Sequence, residues 1–203
     1  VVQNYRNRNF SDTPASLVVV TLYTGYMTDE LVDIIDKNNE IIGKAMKSEV
    51  HQNGWRHRLA AVLLQNEGGK YLIPTTSEKK MEVGKLTFSA AGHVQSNDNY
   101  VKSACRELRE ETGLEAKENQ AELLGSFWLE KDYPTRSEKE RFEVFKIKYN
   151  PIMGKVILNE EQINEQWLSE EELKEIYENY SDKLSSALRL TCKNLFKFGE
   201  NSF

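Results

Sequence analysis

Gly92 to Leu114 reads GHVQSNDNYVKSACRELREETGL, and its periodicity differs from everything before it. Val101, Ala104, Cys105 and Leu108 fall at i, i+3, i+4 and i+7, one apolar stripe of an amphipathic helix, so the spacing predicts a helix within 97–112 and buries Cys105 in that stripe. Asn97 or Asp98 is available as N-cap and Gly113 as the stop. Glu107, Glu110 and Glu111 stand at i, i+3 and i+4 and crowd the opposite face, where like charges repel. The repulsion has two possible remedies. Arg106 and Arg109 would relieve a merely solvated acidic edge, whereas a hard divalent cation would relieve a metal site, since Mg²⁺ takes oxygen ligands and bridges carboxylates to phosphates.

Outward from this helix the pattern is mostly extended. Leu31 to Asp36 and Ile41 to Met46 flank the polar turn Lys37-Asn38-Asn39-Glu40 and read as a β-hairpin. Arg58 to Gln65 (RLAAVLLQ) is apolar on both alternating faces, as a central strand would be. Lys70 to Pro74 and Leu86 to Ala91 follow as strands, with Leu123 to Leu129 and Phe142 to Tyr149 beyond the helix. Ser169 and Glu172 make a capping box for a helix carrying Leu173, Ile176, Tyr177 and Tyr180, and a last helix is expected over 182–198. Strands before and helices after make an α+β chain, with residues 27–203 as a single domain and 1–26 as an N-terminal extension. In that extension Leu17 to Tyr23 follows Arg6 and Arg8 and faintly mimics a secretory signal, but no small-residue cleavage pattern follows it.

Composition bounds the function. The chain has 203 residues, 39% of them apolar, and 32 acidic against 27 basic side chains give a net charge of -5. A mildly acidic chain without blocks of like charge argues against a nucleic acid polymer or an anionic membrane as partner, and no apolar stretch approaches the roughly 20 residues that span a bilayer. Cys105 and Cys192 are too few and too far apart for a disulfide scaffold, which points to a reducing, cytoplasmic setting. Oligomeric state, a homodimer included, is not deducible from these features.

The Gly92 to Leu114 segment resembles the Nudix box, Gly-x5-Glu-x7-Arg-Glu-(apolar)-x-Glu-Glu-x-Gly-(apolar). Gly92, Arg106, Glu107, Leu108, Glu110, Glu111, Gly113 and Leu114 match, and the one departure is Asp98 for the first Glu. The resemblance implies the Nudix fold, an α/β/α sandwich around a mixed sheet. It also implies Mg²⁺ or Mn²⁺ held by Glu107, Glu110 and Glu111 with a backbone carbonyl near Gly92, and Arg106 fixing carboxylate geometry. Either Glu107 or Glu110 would take the proton of the attacking water. Asp98, one methylene shorter than Glu, would partner Arg106 more loosely.

The likeness extends over 30–175. LVDIIDKNNEIIGKAMKSEVHQNGWRHRLAAVLL, SAAGHV and QWLSEEELKEI resemble the Nudix branch that contains type I isopentenyl-diphosphate isomerase. That isomerase holds a metal with three histidines and two glutamates, which carry over by motif to His51, His57, His93, Glu138 and Glu140, a second metal site or polar pocket. Histidine with carboxylate favours Mn²⁺ or Zn²⁺ over Mg²⁺. Singly, each histidine is as readily a loop or strand-end residue. Two departures weaken the isomerase reading: Ala91 stands where its proton-shuttling cysteine would be, and Thr76 where an arginine would grip diphosphate, leaving Lys79 and Lys80 as phosphate candidates.

The leading expectation is therefore a metal-dependent hydrolase of a nucleoside diphosphate derivative, a small-molecule diphosphate substrate. The isomerase and a nucleotide-sensing module that does not cleave are the alternatives. Trp55, Phe127, Trp128 and Tyr133 are candidates for stacking a base, though aromatics in such strands usually belong to the core. If the acidic residues converge on one cleft, the net charge of -5 is that of the enzyme without its cations.

Overall fold

The computed structural model describes residues 29–199, so the expected extension at 1–26 lies outside the described residues. Its elements run β1 (Leu31–Ile35), β2 (Ile41–Met46), α1 (Lys47–Asn53), β3 (His57–Gln65), β4 (Tyr71–Leu72), β5 (Thr75–Thr76), β6 (Ala90–His93), α2 (Tyr100–Thr112), β7 (Ala121–Tyr133), β8 (Arg136–Lys148), β9 (Gln162–Ile163), β10 (Trp167–Leu168), α3 (Glu170–Asn179) and α4 (Ser186–Asn194).

β3 is the centre of the sheet, as its two-sided apolar character predicts. It runs parallel to β8 from His57 opposite Glu140 to Gln65 opposite Lys148, and antiparallel to β6 with Leu59 opposite His93. The sheet order is β10-β4-β3-β8-β7, with β6 pairing further along the edge of β3 that β4 occupies, opposite β8, so the sheet is mixed. Ala60, Val62 and Leu64 pack with Ala104 and Leu108 of α2 on one face. Ala61 and Leu63 pack with Leu173 of α3 and with Leu188 and Cys192 of α4 on the other. Helix, sheet and helices thus form the expected α/β/α sandwich, and full burial of a side chain such as Leu108 contributes about 1.5–3 kcal/mol.

Several elements depart from expectation, and their hydrogen bonds show why. The α2 cap is Asn99, whose side chain accepts from the Lys102 N–H at 2.8 Å; Asn97 instead takes a positive φ of 73°, and the helix starts one or two residues later than expected. Gly113 ends the helix in the left-handed conformation, as predicted. Leu86–Ser89 does not continue β6, because the Ser89 side chain turns inward, donating to Leu72 O and accepting from the Leu64 N–H. The final helix is interrupted before Ser186: Leu86 N–H donates to Lys183 O and Ser185 N–H to Leu86 O, which pulls 183–185 out straight. The Ser169 and Glu172 capping box forms, at 2.7 and 3.2 Å. α1, a short helix without a periodic signal in the sequence, ends at Gly54 with φ 61°.

Candidate active site

Two clusters of buried titratable side chains flank β6. The first belongs to α2. Glu107 and Glu111, one helical turn apart, are only 7% and 3% exposed, whereas Glu110 points outward. The three carboxylates therefore do not share one environment: the i, i+4 pair enters the protein and the residue between them flanks it. Gly92 makes this possible, since a Cβ there would overlap the Glu107 carboxyl. Glu111 accepts from the Ala91 N–H at 3.0 Å and from Gln162 Nε2 at 2.8 Å, and lies 3.3 Å from Lys80 Nζ. Lys80 also pairs with Glu161. Arg106 Nη1 contacts Glu107 at 2.7 Å and Glu110 at 3.0 Å, while Nη2 donates to His93 O at 2.7 Å.

Electrostatics follow from this crowding. Burial pushes the Glu107 carboxyl up to about 7, against the pull of Arg106 and with help from Glu110 and Glu30. Burial pushes Glu111 higher, to about 8, despite Lys80. Burial also works against the Lys80 ammonium, but Glu111 and Glu161 outweigh it and its pKa rises. Within the Lys80–Glu111 pair, the lysine keeps its charge and the glutamate is the reluctant partner, because the carboxylate is far more deeply enclosed.

The second cluster joins three separate segments. His51 comes from α1, His57 opens β3 and His93 closes β6; all are buried, with ligating nitrogens within 4.8 Å of one another. His51 Nε2 and His93 Nε2 share a hydrogen bond at 3.0 Å. His57 Nδ1 donates to Trp55 O at 3.0 Å, and its Nε2 is buried with no hydrogen-bond partner among the described residues, 3.7 Å from Glu140. A carbonyl only accepts, so in the neutral ring Nε2 presents a bare lone pair. Burial first, then the neighbouring His57 and Arg136 charges, lowers His51 to about 4, and burial holds His93 well below its ordinary range. Glu138, beside Glu140, is raised by burial and by that neighbour while Arg136 opposes.

Other expected participants land elsewhere. Asp98 does not partner Arg106; it pairs with Lys102 at 2.5 Å, one helical turn away, while Glu30 stands 3.8 Å from Arg106. Lys79 sits at the surface paired with Glu160 at 2.5 Å. Thr76 bonds to the Glu82 and Lys85 carbonyls and closes a loop. Cys105 is half-buried rather than enclosed. Phe127 packs 5.5 Å from Phe142 in the core, Trp128 lies between Arg56 and Arg141, and Trp55 is 40% exposed. Glu161 and Gln162, which complete the surroundings of Glu111, had no sequence signal: they lie about fifty residues beyond α2 in a segment without periodicity.

The NUDIX domain family model matches residues 55–188. The chain belongs to the Nudix domain family. An uncharacterized Nudix hydrolase of Yersinia pestis is 37% identical over 86 residues, covering 42% of this chain and 47% of that protein. A second uncharacterized Nudix hydrolase, YfcD of Escherichia coli, is 34% identical over 86 residues, 42% of this chain and 48% of its own. The alignments thus span about half the length of these curated relatives. Among solved structures, one from Deinococcus radiodurans has a TM-score of 0.65 at 22% identity, covering 82% of this chain and 99% of its own. A MutT protein from Methanosarcina mazei has a TM-score of 0.56 at 21% identity, covering 72% and 96%. These two show a shared Nudix fold.

Both clusters fit cations by their own chemistry. Buried carboxylates that resist ionisation gain most from a hard divalent ion. The His57 imidazole, one nitrogen anchored on a carbonyl and the other orphaned, has the arrangement that second-shell bonding gives a metal-binding histidine.

Proposed function

We propose that the protein is a divalent-cation-dependent Nudix hydrolase that cleaves the diphosphate bond of a nucleoside diphosphate derivative. The observation that carries this reading is the Glu107 and Glu111 pair, enclosed against the β6 edge with Lys80 and Arg106 as counterions. A stability-driven sequence would rarely retain two such carboxylates, because desolvation raises the cost of their charge.

Glu107, Glu110 and Glu111 with the Gly92 carbonyl would hold Mg²⁺ or Mn²⁺, and a cation bound there polarises a diphosphate and acidifies water. Arg106 holds Glu107 and Glu110 in register and, through His93 O, ties them to β6. Glu107 is the better placed of the two to accept a proton in a site shielded from bulk water, with Glu110 as the exposed alternative. His51, His57 and His93 with Glu138 and Glu140 form a second candidate ligand set, suited to Mn²⁺ or Zn²⁺.

That histidine set supports kinship with the branch containing type I isopentenyl-diphosphate isomerase, but not its reaction. Ala91 occupies the proton-shuttle position on β6, and its methyl group holds no transferable proton. We place the protein in the cytoplasm, with the Nudix domain over 27–203 and a small-molecule diphosphate as partner rather than a nucleic acid polymer or a membrane. Among the described residues no helix is long and apolar enough to cross a bilayer.

The test is a panel of nucleotide sugars, dinucleotides and nucleoside diphosphates with Mg²⁺ or Mn²⁺. Release of a nucleoside monophosphate or phosphate, lost in Glu111→Gln and Glu110→Gln, is expected. Undiminished turnover in both variants would overturn the metal assignment, and nucleotide binding without cleavage would promote the sensor. Isopentenyl diphosphate should not be isomerised.

A further inference from the structure

The diphosphate reading needs a cation that grips phosphate, and the lysines proposed from sequence are committed. Lys79 is held by Glu160 at the surface, and Lys80 by Glu111 and Glu161. The ribbon formed by β7 and β8 offers another group. On the face that carries Glu140 against His57, its cross-strand pairs run Leu129 with Glu140, Lys131 with Glu138 and Tyr133 with Arg136. Arg136 is therefore two same-face pairs beyond Glu140, and Gly54, which ends the helix carrying His51, lies against the adjacent Ser137.

We propose that Arg136 grips a phosphate group of the substrate beside the histidine cluster, supplying the bidentate cation that position 76 lacks. The inference rests on the proposed diphosphate substrate.

Arg136 is ion-paired with Glu138, but through a single nitrogen. One nitrogen, Nη2, donates to Glu138, and the guanidinium carbon stands 5.9 Å from the Tyr133 ring centroid. Nε is shielded from solvent without an acceptor among the described residues. A buried guanidinium N–H with no partner is costly, and an oxyanion brought to the Nε edge would remove that cost. Arg106 and Arg141 also carry an unpartnered Nε. Arg106, however, has its other nitrogens on Glu107, Glu110 and His93 O, and Arg141 lies over Trp128 on the opposite face of the ribbon. Lys131, whose Nζ is 4.7 Å from the Tyr133 ring centroid, is bound to Glu82 at 2.5 Å and Ser186 at 2.8 Å and is not available. Glu138 is the carboxylate paired with Arg136 among the described residues, so it acts as the internal stand-in for an external anion.

The experiment is direct binding of inorganic pyrophosphate with Mg²⁺ to the full chain, followed calorimetrically without turnover. Arg136→Gln should weaken it by about 10-fold or more, the range of a lost charge-assisted pair. Arg136→Lys should recover part of that loss as a point charge. Lys131→Gln should stay within about twofold of the wild type, since its partners are internal. Melting temperature and metal stoichiometry serve as controls for folding. Equal affinity in Arg136→Gln, equal losses in Arg136→Gln and Lys131→Gln, or no pyrophosphate binding by the wild type would each overturn the proposal. Failure of the hydrolase reading is distinguishable, because it would be registered by the cleavage panel while the dependence of binding on Arg136 persisted.

Discussion

The carboxylates of α2 and the histidines beside β6 bury titratable groups in opposite ways. Glu107 and Glu111 bring acids into the interior, and burial drives them toward the protonated form although Arg106 and Lys80 stand against them. The histidines bring bases inside, and burial drives His51 and His93 toward the deprotonated form. One cluster therefore needs added positive charge to ionise, while the other already offers neutral nitrogen lone pairs. Affinity for a cation should consequently depend on pH more steeply at the carboxylates than at His51 or His93 around neutrality.

The largest effect is expected at the carboxylates. Glu107→Gln should lower kcat by about 100-fold or more, the scale of a lost general base, with the fold intact by circular dichroism. The matching His57→Gln variant should leave a larger residual rate and reduce bound Mn²⁺ or Zn²⁺ in equilibrium dialysis. If His57→Gln proves the more damaging of the two, the assignment of chemistry to the carboxylate side is wrong.

Gly92→Ala comes next in size. The added methyl meets the Glu107 carboxyl, so that side chain must move off β6. Overpacking of this kind costs about 1–3 kcal/mol, and Mn²⁺ affinity measured by paramagnetic resonance should fall with it while the histidine nitrogens remain in place.

Stability against pH separates the clusters without any assay of activity. Glu107 and Glu111, raised to about 7 and about 8 from an ordinary 4.5, bind protons more tightly folded than unfolded. The metal-free protein should therefore lose stability as pH climbs from 4.5 through those values. His51, lowered to about 4 from 6.5, acts in the other direction, and stability is lost as pH falls from 6.5 through 4. The two windows overlap between 4.5 and 6.5, where the contributions offset each other, so the melting temperature should be highest within that interval and fall on either side of it. Glu111→Gln should flatten the alkaline limb alone, and an unchanged slope there would refute the buried-acid account.

The smallest effects lie at the start of α2, outside both clusters. Asn99→Ala should cost about 1 kcal/mol in urea unfolding as a lost N-cap. Asp98→Ala, at a pair partly exposed through Lys102, should cost about 0–1 kcal/mol and leave turnover unchanged. A large loss of activity in Asp98→Ala would restore the partnership with Arg106 that the structure lacks.

How far the sequence was legible varies with the range of the interaction. The hairpin of β1 and β2, the central β3, the stop of α2 at Gly113 and the capping box of α3 rest on neighbours within a few residues, and all were readable. The break before α4 was not, because its cause is pairing of Lys183 and Ser185 with Leu86, about a hundred residues earlier. The α2 cap moved to Asn99 because the backbone of Asn97 is left-handed, which residue type permits but does not announce.

By itself the sequence determined the spacing of Glu107, Glu110 and Glu111 on one helix. Helical geometry converts such spacing into proximity without help from the rest of the chain. Only the tertiary structure decided which two of the three carboxylates turn inward, and that Lys80, Glu161 and Gln162 complete their surroundings. It also decided that Arg136 lies on the face of the β7 and β8 ribbon that carries Glu140, with the end of α1 against its neighbour Ser137. Those outcomes depend on desolvation and on contacts between distant segments, and neither is written in local periodicity.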